Sequence, residues 1–245
     1  MSARCLKMSF RNAETLVGSA ITPMMMVFLF IYLLSTGAHD RQAFINAQVP
    51  SVIVVTLGFS ASYTAFSVNS DMKKGIIDRF RSMPLFQPAV LTGHVVASLA
   101  RSIITMVVVI GAALVVGFRP EAGIFEWMAS VGILLLVALV LTWVSVLLGL
   151  ISETPEGASA YSMIIQFLPF LSAGFAEPEH LMGPLRIFFQ HQPFTPIIEA
   201  IRGLTMGAGD GRDIIAAVIW CAVLIIAFYI PSVCIYNRGL NLNNS

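Results

Sequence analysis

Residues 124–150 read IFEWMASVGILLLVALVLTWVSVLLGL, an apolar run whose one charge, Glu126, sits near its start. A helix needs about 20 mostly apolar residues to cross the hydrocarbon core of a bilayer. Lipid offers the backbone no hydrogen-bond partner, so such a segment must satisfy its own N–H and C=O groups. The run is too long and too continuously apolar for a barrel strand, which alternates. It reads as a transmembrane helix.

Five further stretches read the same way: residues 16–35, 49–68, 88–118, 158–175 and 214–236, the fifth span (158–175) being the weakest. The expected fold is therefore an all-α integral membrane protein with six transmembrane helices, one domain over residues 1–245. Composition agrees. The chain is 57% hydrophobic and 11% charged, against about 25% charged residues in an ordinary soluble domain. A net charge of +1 argues against nucleic acid, which needs a basic face to neutralise phosphates. The first apolar run is nearly span-length and no small-residue cleavage site clearly follows it, so it is expected to stay in the mature protein. Cys5, Cys221 and Cys234 show no paired or metal-ligand spacing and read as small apolar packing residues.

Six spans put both termini on one side, and lysine and arginine decide which. Arg4, Lys7, Arg11, Lys73, Lys74, Arg79, Arg81 and Arg238 fall on the side of the termini; Arg41, Arg119, Arg186, Arg202 and Arg212 fall opposite. The bias makes both termini cytoplasmic. Residues 2–15 fit either a short amphipathic helix in the interface or a solvated tail.

The segment 69–84 reads NSDMKKGIIDRFRSMP. Met72, Ile76, Ile77, Phe80 and Met83 share one helical face, with Lys73, Lys74, Asp78 and Arg81 elsewhere. Ser70 or Asp71 is a candidate cap, and Pro84 disfavours helix at the residue before it. The spacing predicts a short helix over about 71–83. It either rests on headgroups or docks in a groove of a cytoplasmic partner. Gly75 permits close backbone approach.

Residues 176–213 are too polar for one span. Leu181, Leu185, Phe188 and Phe189 recur at roughly helical spacing, as do Ile197, Ile198, Ile201 and Leu204, with Pro193 and Pro196 between the groups. We read two short helices on the outer face, a re-entrant hairpin over about 178–205. Arg101, about 13 residues into the third run, is either buried in the bilayer or near its edge. An intramembrane charge raises a functional hypothesis, and a structural or snorkelling arginine is the favoured reading. His94 is expected at the interface. Span one carries Pro23 with Met24, Met25 and Met26; span five carries Ser159, Ser162, Ser172 and Gly174, small residues that suit a helix–helix contact.

Chemistry-bearing motifs are missing. The sequence has no GxxxxGK[ST] phosphate loop, no GxSxG and no HExxH, so an uphill transporter built on it takes its energy from a separate subunit. An intramembrane lipid-modifying enzyme using His191 and Glu199, or a passive channel subunit, stand as alternatives.

Several stretches, in order, resemble the permease subunit of a type-2 ABC exporter, in the branch that includes the daunorubicin-resistance permeases. They are Arg11-Asn12-Ala13-Glu14, Gly75-Ile76-Ile77-Asp78-Arg79-Phe80-Arg81-Ser82-Met83-Pro84, Gly93-His94-Val95-Val96-Ala97 through Arg101, Val116-Gly117-Phe118-Arg119-Pro120, Phe189-Gln190-His191-Gln192-Pro193-Phe194-Thr195-Pro196 and Glu199-Ala200-Ile201-Arg202-Gly203-Leu204. The resemblance covers almost the whole chain. It implies an amino-terminal elbow helix and a coupling helix whose Met72, Gly75, Ile76, Ile77, Asp78, Arg79, Phe80 and Arg81 meet an ABC ATPase subunit. It implies a re-entrant hairpin with His191, Pro193, Glu199 and Arg202. The working exporter would hold two permeases and two ATPases in a bacterial cytoplasmic membrane. ATP and magnesium would sit on the ATPase, with no cofactor, catalytic residue or metal in this chain. A hydrophobic or amphipathic substrate would pass between permeases along spans one, two and five, where Met24, Met25, Phe28, Phe59, Tyr63, Phe167 and Phe170 are the candidates. Ser98 departs from the pattern: many relatives carry an acid three positions before the span-three arginine, so no ion pair is implied for Arg101.

Overall fold

The computed structural model describes residues 25, 28–33, 35, 40–73, 89–172 and 183–241. The amino-terminal stretch 2–15, most of the first apolar run and residues 74–88 lie outside the described residues. Every element among them is helical: α1 (Arg41–Lys73), α2 (Ala89–Val116), α3 (Ile124–Ile151), α4 (Pro155–Gln166), α5 (Pro184–His191), α6 (Phe194–Thr205) and α7 (Gly211–Asn241). A π-helical turn over Phe28–Leu33 precedes α1, and a 3-10 turn over Leu168–Leu171 follows α4. Among the described residues, four helices are long and apolar enough to cross a membrane: α1, α2 over Leu91–Val116, α3, and α7 over Gly211–Tyr236.

Local chemistry sets the ends of these helices. Asp40 Oδ1 accepts from the N–H groups of Gln42 and Ala43, both at 3.0 Å, which satisfies two orphan donors at the start of α1. Asp210 Oδ1 accepts from the Arg212 N–H at 3.0 Å at the start of α7. Thr154 caps Gly157 at 3.0 Å, and Pro155 opens α4, where a missing N–H costs nothing. Gly117, at φ 118°, ends α2, in a conformation a side chain would disfavour.

Two expectations about α1 change. It starts at Arg41, well before the apolar run at 49–68, and carries Pro50 inside. It also continues through Ser70 and Asp71 to Lys73 without a break. Neither Ser70 nor Asp71 therefore caps a new helix; their N–H groups are already inside the α1 ladder. The fifth apolar run, 158–175, is not one helix: α4 stops at Gln166 and the chain tightens into the 3-10 turn at Leu168–Leu171. Pro169 lacks the N–H that an α-helix would use there.

α1 and α3 form the centre. α2 packs on both, α4 and its 3-10 turn pack along α1, α7 packs on α3, and α6 wedges between α7, α3 and α1. The contact faces are built from small residues, which let backbones approach where lipid supplies no hydrophobic drive between helices. Ser60, Ala61, Thr64, Ala65 and Val68 of α1 are all buried. Opposite them, a Cβ on Gly149 of α3 would stand 2.7 Å from the Ala65 carbonyl oxygen.

Polar contacts mark the two ends of the bundle. At the Asp40 end, Gln42 Nε2 donates to the Gly117 carbonyl at 2.8 Å. Asn46 Oδ1 accepts from the Arg119 N–H at 3.1 Å. The Glu121 N–H donates to the Thr205 carbonyl at 3.1 Å. At the Lys73 end, Asn69 reaches α3 and Asp71 reaches α2. α1, α2 and α3 thus run in alternate directions, while α7, whose Tyr236 joins Val68 and Leu150 at the Lys73 end, runs the same way as α3.

Candidate functional site

The polar core lies where α1, α2 and α3 meet. Arg101 of α2 is 5% exposed, so it is enclosed by the bundle and does not snorkel. Its Nη2 donates to Thr64 Oγ1 at 2.8 Å. Thr64 donates to Ser98 Oγ at 2.9 Å, and Thr142 donates to the Ala138 carbonyl at 2.7 Å. A hydroxyl has one proton to give. Thr142 has spent its own, so the 2.9 Å contact between Ser98 and Thr142 runs from Ser98 to Thr142. The result is a one-way chain: Arg101 to Thr64 to Ser98 to Thr142 to a backbone carbonyl. Thr105 contacts Ser60 at 3.4 Å, one turn along α2 from Arg101. Ser98, for which the resemblance implied no ion pair with Arg101, is a link in this chain.

An aromatic face lies on the other side of Tyr63. The Arg101 guanidinium stands 4.8 Å from the Tyr63 ring centroid, a cation–π distance. Phe59 is one turn before Tyr63 on α1. Its ring meets Phe167 edge-on, with centroids 6.3 Å apart and planes at 85°, and Phe167 meets Phe170 at 5.7 Å. Tyr63 also lies 6.1 Å from Phe66. Four of the sequence candidates, Phe59, Tyr63, Phe167 and Phe170, therefore share one wall built by α1 and the end of α4. Phe167 is 49% exposed there. Met25 and Phe28 are exposed beside the π-helical turn, which packs on α2 and α1; Met24 lies outside the described residues.

The short helices α5 and α6 meet at Gln192 and Pro193. Gln192 Nε2 donates to the Leu171 carbonyl, and Leu171 follows Phe167, which touches Phe59 near the middle of α1. The far end of α6 reaches the Asp40 end through Thr205. So α6 runs from near mid-bundle depth to that end, burying Ile197, Ile198, Ile201 and Leu204. Arg202 Nε donates to the Ala47 carbonyl at 3.0 Å. Burial raises the Glu199 carboxyl above its usual range, with Asp213 adding to the rise and Arg202 opposing it. Burial lowers the Arg202 guanidinium, and Glu199 opposes that. Pro193 is half-buried at the break. His191 closes α5 and Glu199 lies on α6, on opposite sides of that break.

Met72 packs against the cluster formed by Val68, Leu91, Val95, Trp143, Val146, Leu150 and Tyr236. Gly75, Ile76, Ile77, Asp78, Arg79, Phe80 and Arg81 lie outside the described residues. His94 is not at an open interface: it is 5% exposed, with Nε2 3.3 Å from Asp71 Oδ2. Among the described residues, no group of three His, Cys, Asp or Glu side chains is placed to hold a metal.

Sequence reading missed the Thr64–Ser98–Thr142 chain and the Asn69 contacts. The available signal was hydroxyl and amide residues recurring within apolar runs, at Ser60, Thr64 and Asn69 of one helix.

With that geometry in hand, comparison with known proteins gives the class. The model of the ABC-2 type transporter family matches residues 1–206, and the chain belongs to that family. It is the membrane-embedded permease subunit of an ABC transporter. The chain is 27% identical over 210 residues to a daunorubicin resistance ABC transporter permease protein of Streptomyces coeruleorubidus, covering 84% of this chain and 74% of that one. It is 19% identical over 231 residues to a probable doxorubicin resistance ABC transporter permease protein of Mycobacterium tuberculosis, covering 94% of this chain and 84% of that one.

Proposed function

We propose that this chain is the permease of an ATP-driven exporter that moves hydrophobic or amphipathic molecules out of a bacterial cytoplasm. The observation that carries the reading is the half-open aromatic wall of Phe59, Tyr63, Phe167 and Phe170, backed by the buried Arg101. Flat aromatic solutes stack on such rings, and a cation behind one ring gives the wall a polar handle. Lipid alone gives no reason to gather four aromatics on one face of a bundle. The relatives' names, which carry resistance to daunorubicin and doxorubicin, point to the same solute chemistry.

In this reading the chain has six spans, the first containing the π-helical turn and the fifth formed by α4 and its 3-10 turn. Both termini face the cytoplasm, and α5 with α6 forms a re-entrant hairpin from the outer face. Non-helical backbone at membrane depth is tolerated only when protein surrounds it, and the bond from Gln192 to Leu171 fits that condition. Residues 72–81 meet a separate ATPase subunit that holds ATP and magnesium. A second permease, of this chain or a sister, closes the aromatic wall from the other side.

The test is reconstitution with a partner ABC ATPase subunit. Proteoliposomes should hydrolyse ATP faster when daunorubicin is added, and should export it. The triple variant Asp78→Ala, Arg79→Ala, Phe80→Ala should hydrolyse without exporting. The pair Phe59→Ala and Phe167→Ala should raise the daunorubicin concentration needed for half-maximal stimulation. Turnover of a lipid by the permease alone, lost on His191→Ala, would replace this reading with an enzymatic one.

A further inference from the structure

The last turn of α1 is bonded to α3 and lies close against α2. Asn69 is 2% exposed, and its Nδ2 donates to the carbonyls of Gly149 at 2.9 Å and Ser152 at 2.6 Å. These lie at the end of α3, where carbonyls have no partner within their own helix. The amide has only one workable orientation, because turning it over would set Oδ1 against two carbonyl oxygens. At the same level a Cβ on Gly149 would stand 2.7 Å from the Ala65 carbonyl oxygen and 3.1 Å from the Val68 Cβ. The two backbones are therefore in contact. Two residues beyond Asn69, Asp71 lies 3.3 Å from His94 of α2. The segment that follows Met72 thus leaves a turn bonded to α3 and packed against α2, where Met72 and Val68 meet Leu91 and Val95.

We propose that Asn69 over Gly149, with Asp71 and His94 beside it, is the joint that turns movement of the segment after Met72 into movement of α1, α2 and α3 as one body. These are positioning residues, and their role rests on the exporter reading above. The physical reason is stiffness. A displacement applied at Lys73 is passed on only if the last turn of α1 neither frays nor slides on α3. Two bonds from one buried amide prevent fraying, and backbone contact at Gly149 prevents sliding. α1 is unbroken from this joint past Tyr63 and Phe59. Motion at its end therefore reaches the aromatic wall within a few turns.

The test uses the full permease with its ATPase in proteoliposomes, the native cysteines replaced and spin labels placed on Lys73→Cys and Glu153→Cys. Both sites are exposed, one at the end of α1 and one just past α3. In the parent, the label distance should be narrow and the same with and without ATP plus vanadate. In Asn69→Leu it should broaden. ATP hydrolysis should persist while daunorubicin exported per ATP falls about tenfold, within the range of typical coupling energies. Gly149→Ala, which separates the same backbones while keeping the Asn69 side chain, should act in the same direction. Asp71→His or His94→Asp alone should lower export per ATP, and the double swap should restore part of it, which a loss of folding would not allow. Parental export per ATP in both Asn69→Leu and Gly149→Ala overturns the joint, whatever the labels show. If the parent hydrolyses ATP but does not move daunorubicin, the substrate reading falls and the label distances decide the joint. If the parent complex does not hydrolyse ATP, the exporter reading falls and takes the coupling role with it; a narrow label distance then remains only as a packing fact.

Discussion

α1 and α7 are both long enough to cross a membrane, yet they follow opposite rules. α1 is the least apolar of the four candidate spans and the most enclosed, with 72% of its apolar window buried. α7 is among the most apolar and is 11% buried. In water the more apolar helix would go inside. Here the solvent is lipid, so low apolarity does not keep α1 outside: its hydroxyls and amides, which lipid cannot satisfy, turn inward. α1 carries Ser60, Thr64 and Asn69 inward. α7 turns Ile219, Val223, Ile226 and Ile230 outward. The interior holds, within a mainly apolar core, the polar groups that lipid would leave unsatisfied, and that is where the directed hydrogen-bond chain lies.

The contrast breaks most visibly if the outward face of α7 is charged. Ile226→Arg, about midway along α7, should cost roughly 2.5–3.5 kcal/mol of insertion free energy. Full-length protein in the membrane fraction should fall accordingly, and normal levels would mean that protein rather than lipid covers this face. Next in size is the α1–α3 contact. Gly149→Val should cost about 1–3 kcal/mol from overpacking, read as a lower midpoint of thermal unfolding in detergent; an unchanged midpoint would show that the helices part freely there. Thr64→Val removes a link of the buried chain and should cost about 0.6–1.7 kcal/mol, the span measured for bonds between membrane helices. Loss beyond that range would mean the chain acts as more than its separate bonds. The smallest change has the opposite sign. Gly111 of α2 has open space where a Cβ would go, so Gly111→Ala should raise stability by up to about 1 kcal/mol through helix propensity. A fall in the midpoint would point to a helix seated against Gly111 in the assembled transporter.

Much of this architecture was legible before any coordinates. The runs at 88–118, 124–150 and 214–236 lie in the same stretches as α2, α3 and α7, because twenty or more apolar residues in a row have few other options. Pro193, read with Pro196 as separating two apolar groups, lies at the break between α5 and α6, since proline acts on the backbone locally. Three features could not be read that way. α1 begins eight residues before its apolar run, because Asp40 caps it and Asn46 bonds the Arg119 N–H. It also runs straight past Ser70 and Asp71, whose side chains look like caps in isolation. Arg101 reads from the sequence as structural or snorkelling, and the structure selects the first; its Thr64 partner lies 37 residues away, and no periodicity reveals such a pairing.

The sequence by itself determined the solvent. An apolar content of 57% with 11% charge leaves a chain of this length nowhere stable except a bilayer, arranged as long helices, because each helix closes its own hydrogen bonds. Which helices would be enclosed was decided only by the tertiary structure. Enclosure depends on matching a hydroxyl on α1 to one on α2, an amide on α1 to the open carbonyls at the end of α3, and a missing side chain at Gly149 to the backbone of Ala65. Each match joins residues 34 to 84 positions apart, and it exists only once the helices have met.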